Sequence, residues 1–350
     1  MAYTTVNKSS SFQNQVLYTG NESTRSETGV GFQPDFTWIK VRSRADPHIL
    51  TDAVRGTSSQ LSSDTTGAQQ TFSNMITSFN SDGFSLGANV DVNRNSETFV
   101  AWNWKANGAG SANTDGGINS TVSVNNTAGF SIVKYGTGTG SATTVGHGMN
   151  TTPNFIMIKP LGTVTTGGWI VGGDNIDNTW NNVLELNSTA AKASDPSFNN
   201  TAPTSSVFSV GNNNTNRSGE NYIAYCFANV RGFSKMGIYT GNGSTNGNFI
   251  YTGFRPSFIM IKRITDGSEA WVMFDNKRAN SFNGVTGILK PNLSEAETTQ
   301  GAGPSMDFLS NGIKLTNTDG TFNNSAKEFI YMAFAEAPLV GTNNIPANAR

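Results

Sequence analysis

At 350 residues the chain exceeds what one hydrophobic core ordinarily serves, so two or three domains are expected. Charged residues make up only 13% and the net charge is -1, which excludes a strongly basic surface for nucleic acid and a strongly acidic tail. The single cysteine, Cys226, excludes an intrachain disulfide framework and a cysteine-rich zinc site, and no run of 18 apolar residues offers a membrane-spanning helix, so the chain is read as soluble, made in a cytoplasm and free of cofactors.

From the N-terminus, Met1 to Gln15 precede the first patterned strand and are expected to be an anchoring segment that orders on a partner. A strand ending in a glycine turn follows, Val16-Leu-Tyr-Thr-Gly-Asn, and recurs as Ile132-Val-Lys-Tyr-Gly-Thr and Gly237-Ile-Tyr-Thr-Gly-Asn. Next comes Gly31-Phe-Gln-Pro-Asp-Phe-Thr-Trp-Ile-Lys40, matched by Thr152-Pro-Asn-Phe-Ile-Met-Ile-Lys159 and Gly253-Phe-Arg-Pro-Ser-Phe-Ile-Met-Ile-Lys262. A leucine-led turn at Leu61, Leu184 and Leu289 precedes a Ser-x-x-(Phe or Ile)-x-(Leu or Val) strand at Ser81, Ser205 and Ser310. Each series closes on an aromatic strand: Phe99-Val-Ala-Trp-Asn-Trp, Tyr222-Ile-Ala-Tyr-Cys-Phe and Phe329-Ile-Tyr-Met-Ala-Phe.

Matches in constant order predict an all-β fold of three tandem repeats, each a roughly 100-residue antiparallel β-sandwich. The repeats are expected at 16–106, 129–230 and 231–339, with a Gly/Ser/Asn-rich linker at 107–128 and a C-terminal tail at 340–350. Linker lengths predict that repeats two and three pack directly while the first takes its own angle. Alternation at Phe36, Trp38 and Lys40 predicts sheets buried on one face.

Candidate sites are few. Asp52 with Arg55 and Asp275 with Arg278 stand at matched places after the strand lysines and are expected to be structural ion pairs that fix a loop within each domain. The second repeat has Asp174-Asn-Ile-Asp177 there, without the arginine. Trp180, in the polar loop Asp177-Asn-Thr-Trp-Asn-Asn182, is the ring expected to be exposed, where its face could stack on a sugar. His48 and His147 fall in different repeats and give a triad or metal site little to build on, so no catalytic or metal-ligating residue is named and the protein is not expected to be an enzyme.

From Val16 to Leu339 the combination of Tyr-Thr-Gly-Asn, Gly-Phe-x-Pro-x-Phe-x-x-Ile-Lys, Asp-x-x-Arg and the Ala-Phe-Ala closing strand resembles a family of repeat proteins encoded by marine bacteriophages and cyanophages. The resemblance implies a virion structural protein, a tail fibre or similar appendage. The alternatives are a capsid-exterior decoration protein or a carbohydrate-binding adhesin. Its partners would be other virion proteins in tail or capsid, identical chains in a homo-oligomer (by analogy a trimer), and a host-surface glycan, with no nucleic acid and no membrane insertion.

Overall fold

The structure is a computed structural model that describes residues 4–164, 166–211, 214–279, 283–299 and 303–337. The expected tail 340–350 and Met1 to Tyr3 lie outside the described residues. The fold is nearly all β, with 42% strand and 4% helix, in several antiparallel sheets. Strands rich in Val, Ile and aromatic residues, separated by Asn, Gly and Ser, give this outcome locally.

Three sheets carry the same four-strand order. Gln13–Thr19, Thr98–Trp104, Phe36–Val41 and Ile49–Asp52 lie side by side in that sequence. Phe130–Tyr135, Tyr222–Phe227, Phe155–Pro160 and Ile170–Gly173 do so within an eight-stranded sheet, and Ser234–Thr240, Glu328–Ala337, Arg255–Arg263 and Val272–Asp275 do so again. The registers also coincide: Phe36 opposes Trp104, Phe155 opposes Phe227 and Phe258 opposes Phe334, while Lys40, Lys159 and Lys262 oppose Val100, Ile223 and Ile330.

Every one of these inner sheets packs one face on an outer sheet of its own. The outer partners include Arg25–Glu27, Gly83–Leu86 and Ile76–Asn80 in the first case. They are Thr143–Gly146 with Val207–Val210 in the second, and Phe249–Tyr251, Gly312–Leu315, Met306–Leu309 and Gly284–Val285 in the third. Each sheet pair encloses a separate apolar cluster, around Phe84 and Phe99, around Trp180 and Phe208, and around Phe274 and Phe322.

The opposite faces of the three inner sheets meet in one central core that contains Phe36, Trp104, Phe155, Phe227, Phe258 and Phe334. Burial on one face was the expectation, and all six residues of Phe36–Val41 are buried instead. Phe36 and Trp38 face the centre while Ile39 and Val41 face the outer sheet, so both parities of the strand are covered.

That central core corrects three expectations. The first segment does not take an independent angle, because Phe36 stacks on Tyr225 at 4.3 Å between centroids and Trp104 meets Phe258 at 5.6 Å. The 107–128 segment is not a free linker: Ser111–Asn113 and Ser120–Asn125 are strands, and the latter pairs with Phe130–Tyr135. Its alternating Val122 and Val124 supplied the strand signal that the glycines and serines obscured. Of the expected anchor, Val6 is buried in the central core and Gln13 and Gln15 are ladder partners of Trp104 and Trp102.

Cys226 is fully buried in the second outer core, and burial pushes its thiol well up from the ordinary range. The native protein is therefore expected to leave dithiobisnitrobenzoate unreacted, with one thiol titrating only after denaturant is added; rapid native reaction would contradict this burial.

Candidate functional site

Buried polar side chains cross the seams between the three inner sheets, and the lysines among them do so in a closed cycle. The amine of Lys159 donates to Thr66 O at 3.1 Å, that of Lys262 to Thr189 O at 2.9 Å, and that of Lys40 to Ser294 O at 3.1 Å. Each lysine therefore reaches from its own sheet to the loop of the preceding one, and the first reaches the third. The residue that opens the neighbouring strand acts likewise: Trp169 Nε1 donates to Ser62 O at 2.8 Å and Trp271 Nε1 to Glu185 O at 3.0 Å.

In the first sheet this place is taken by His48. Its Nδ1 accepts from Trp38 Nε1 at 2.9 Å, which leaves Nε2 as the donor to Lys290 O at 3.0 Å. Burial, aided by the nearby Lys40 charge, holds the imidazole pKa well below its usual value, in keeping with this neutral tautomer.

Burial also pushes the amines of Lys40, Lys159 and Lys262 down to about 8. Between pH 8 and about 10.4 the unfolded chain holds more protons at these sites than the folded one, so stability should rise with pH across that window. Buried phenols with raised pKa, Tyr18, Tyr225 and Tyr239 among them, should reverse the trend above about pH 10. Urea midpoints at about pH 7, 9 and 11 should peak at the middle value. A steady fall from the first to the second would refute the assignment.

The expected ion pairs are present and fully buried: Arg55 Nε lies 2.5 Å from Asp52 Oδ2, and Arg278 Nε lies 2.6 Å from Asp275 Oδ2. They do more than fix a loop within one segment. Tyr225, on the second closing strand, donates its hydroxyl to Asp52 Oδ2 at 2.7 Å and accepts from Arg55 Nη2 at 3.2 Å. Trp102, on the first closing strand, donates Nε1 to Asp275 Oδ2 at 2.9 Å, with the Arg278 guanidinium 5.5 Å from its ring centroid. The matching residue of the third closing strand is Met332, which has no donor, and in the second segment the ladder sets Gly173 at the place of Asp52 and Asp275, with Asp174 one position on, where it accepts from Trp180 Nε1 at 3.0 Å. The ion pair absent from the second segment, where Gly173 and Ile176 stand, and the donor absent from the third thus belong to one seam.

Trp180 corrects the sequence reading, for it is fully buried against Phe198 at 5.0 Å rather than exposed. Its polar neighbours hid this: Asp177 draws in the Thr179, Asn181 and Asn182 amides and curls the loop so that the ring turns inward. Sequence reasoning also missed Asn93, Asn216 and Asn323, buried amides whose Nδ2 groups bond loop carbonyls at Gly87, Ser141 and Asn317. Their constant place, shortly before each closing strand, was the available signal.

The exposed aromatic surface lies elsewhere, in a groove of about 540 Å³ beside Ser234–Thr240. Phe249, Tyr251 and Ile238 wall it and are 46%, 55% and 45% exposed, whereas most large apolar side chains among the described residues are buried. Gly237 forms its floor, where any side chain would collide with the Tyr331 ring. Lys235 crosses one end, donating to Tyr251 O at 2.7 Å with its amine 5.1 Å from the Tyr251 centroid. Aromatic faces, an aliphatic side chain, one amine and a strand edge equip the groove to bind by stacking or by backbone pairing.

The molecule is thus an all-β protein of paired antiparallel sheets. A family model described as a domain of unknown function, DUF7483, matches residues 8–338, and the chain belongs to that family. No curated protein and no solved structure matches it.

Proposed function

We propose that this chain is three tandem copies of one β-sandwich unit closed into a ring, and that it serves as a non-catalytic structural protein of a bacteriophage particle, an appendage such as a tail fibre. The observation that carries this reading is the cyclic seam: a lysine amine and a ring N–H at matched places join each unit to the next and the third to the first, and a buried carboxylate does so at two of the three junctions. Buried charge used between units favours a fixed mutual geometry over a hinged one. A rigid body suits a protein that transmits position in an assembly, docked on other virion proteins and on copies of itself.

Gold-labelled antibodies and mass spectrometry of purified particles test this role. The protein should be found at a regular site on the particle, and its absence from particles would end the proposal. Light scattering of the purified chain at micromolar concentration should report an oligomer, against which a monomer would count. Release of reducing sugar from host envelope would defeat the non-catalytic part.

The adhesin alternative is favoured by one observation, the exposed Phe249 and Tyr251 rings beside the amides Asn248 and Asn175. Binding on a glycan array that is lost in Phe249→Ala and Tyr251→Ala would support it.

A further inference from the structure

In the second unit the chain covers its own sheet edge. Ser120–Asn125 pairs antiparallel with Phe130–Tyr135, placing Thr121 opposite Lys134 and Val122 opposite Val133. Just before it, Ile118 bridges to Val145 of the outer sheet, its N–H donating to Thr144 O at 3.0 Å, and Ser120 Oγ donates to Gly146 O at 2.9 Å. Ile118 is buried in the outer core. The gap between the free edges of inner and outer sheet is closed by these few residues.

The equivalent gap in the third unit is the groove. Matching Phe208 with Ile313 in the Ser-x-x-(Phe or Ile) strands sets Phe249 at the place of Thr144 and Tyr251 at the place of Gly146. Ile238 stands at the place of Lys134. Among the described residues no strand pairs with the outer side of Ser234–Thr240. Met236 N–H turns away from the neighbouring strand to Asn229 Oδ1 at 2.7 Å, so the even-numbered positions face outward and Ile238 directs its N–H and C=O into the groove.

Open edges normally carry lysine or proline, which discourage pairing with other chains. Here the covered strand carries Lys134 at the place where the open strand carries the exposed Ile238, the open strand's own Lys235 lying at the end of the groove. The first unit also has an exposed aliphatic there, Leu17, but Ser26 takes the place of Phe249 and builds no aromatic wall.

We infer that the groove is a strand-acceptor site, at which an extended polypeptide from a partner protein adds antiparallel to Ser234–Thr240, pairing with Ile238 and seating an aliphatic side chain against Phe249 and Tyr251. Main-chain hydrogen bonds supply affinity in this mode and the side-chain wall supplies selectivity. The inference rests on the tandem reading of the three units and not on the particle role.

A synthetic peptide of residues 117–126, the chain's own covering segment, is the probe, added to the full-length protein and followed by hydrogen exchange. Residues 235–240 should gain protection that saturates with peptide. Ile238→Pro removes the outward N–H while sparing the ladder to Glu328–Ala337, and should weaken binding about tenfold, the equivalent of one hydrogen bond. Phe249→Thr with Tyr251→Gly removes the aromatic wall, the residues that stand there in the second unit taking its place, and should also weaken binding; this variant decides the matter if Ile238→Pro melts early. No protection at 235–240, no response to either variant, or protection by host oligosaccharides and not by peptide would overturn the inference. Because the assay uses purified protein, its failure leaves the particle role to be tested separately.

Discussion

Replacing Asp275 with alanine is expected to cost about 3–5 kcal/mol of unfolding free energy, the range for removing one partner from a buried ion pair. Arg278 would remain wholly buried, its guanidinium keeping Glu297 at 3.3 Å and the carbonyls of Gly287 and Met273, and Trp102 Nε1 would lose its acceptor. The Lys277 and Arg278 amides, both 3.0 Å from Asp275 Oδ1, would lose theirs as well. Removing the guanidinium in the same molecule, with Asp275→Ala and Arg278→Met, should recover much of the loss, since an apolar pair leaves no stranded charge. Urea unfolding of the three proteins measures both effects. A single-variant cost below about 1 kcal/mol would mean that water reaches the arginine.

The second large effect belongs to Trp104, whose ring lies within 5.2–6.4 Å of Phe36, Phe227, Phe258 and Phe334 and so touches all three inner sheets. Trp104→Ala should cost about 3–5 kcal/mol. Because the cavity opens where the sheets converge, the loss should lower one cooperative transition, seen alike by fluorescence and circular dichroism. Separate shifts, with part of the chain melting unchanged, would show that the segments fold independently. Trp104→Phe should be much milder, since the indole N–H has no hydrogen-bond partner among the described residues.

Much of the inner-sheet architecture was legible because its signals are local. Pro, Phe and Lys at fixed spacing mark a strand whatever lies beyond it, and Phe36, Phe155 and Phe258 do occupy the same register against the closing strands. The convergence of three sheets was not legible, for a strand buried on both faces and one buried on one face can share the alternation Phe36, Trp38, Lys40. Lys40 misleads most: the charge suggests solvent, yet three carbonyls surround the amine, two of its own loop and one from the third segment. Asp52 and Arg55 were found as a pair, but their partner Tyr225 lies 170 residues from Arg55 and no spacing rule connects them. Trp180 failed for the opposite reason, since the polar loop around it is satisfied by its own Asp177.

The cyclic seam also has an evolutionary consequence. An assembly of three identical subunits must carry the same residues at every junction, so a substitution appears three times at once and its compensation must too. On the tandem reading proposed above, the junctions lie in one polypeptide and can drift separately. Here Tyr225 meets one carboxylate and Trp102 another, while the third junction has neither ion pair nor donor, with Gly173, Ile176 and Met332 at those places. The same reading accounts for one sheet edge covered by Ser120–Asn125 and another, that of Ser234–Thr240, with no strand paired on its outer side among the described residues, a difference that exact symmetry would forbid.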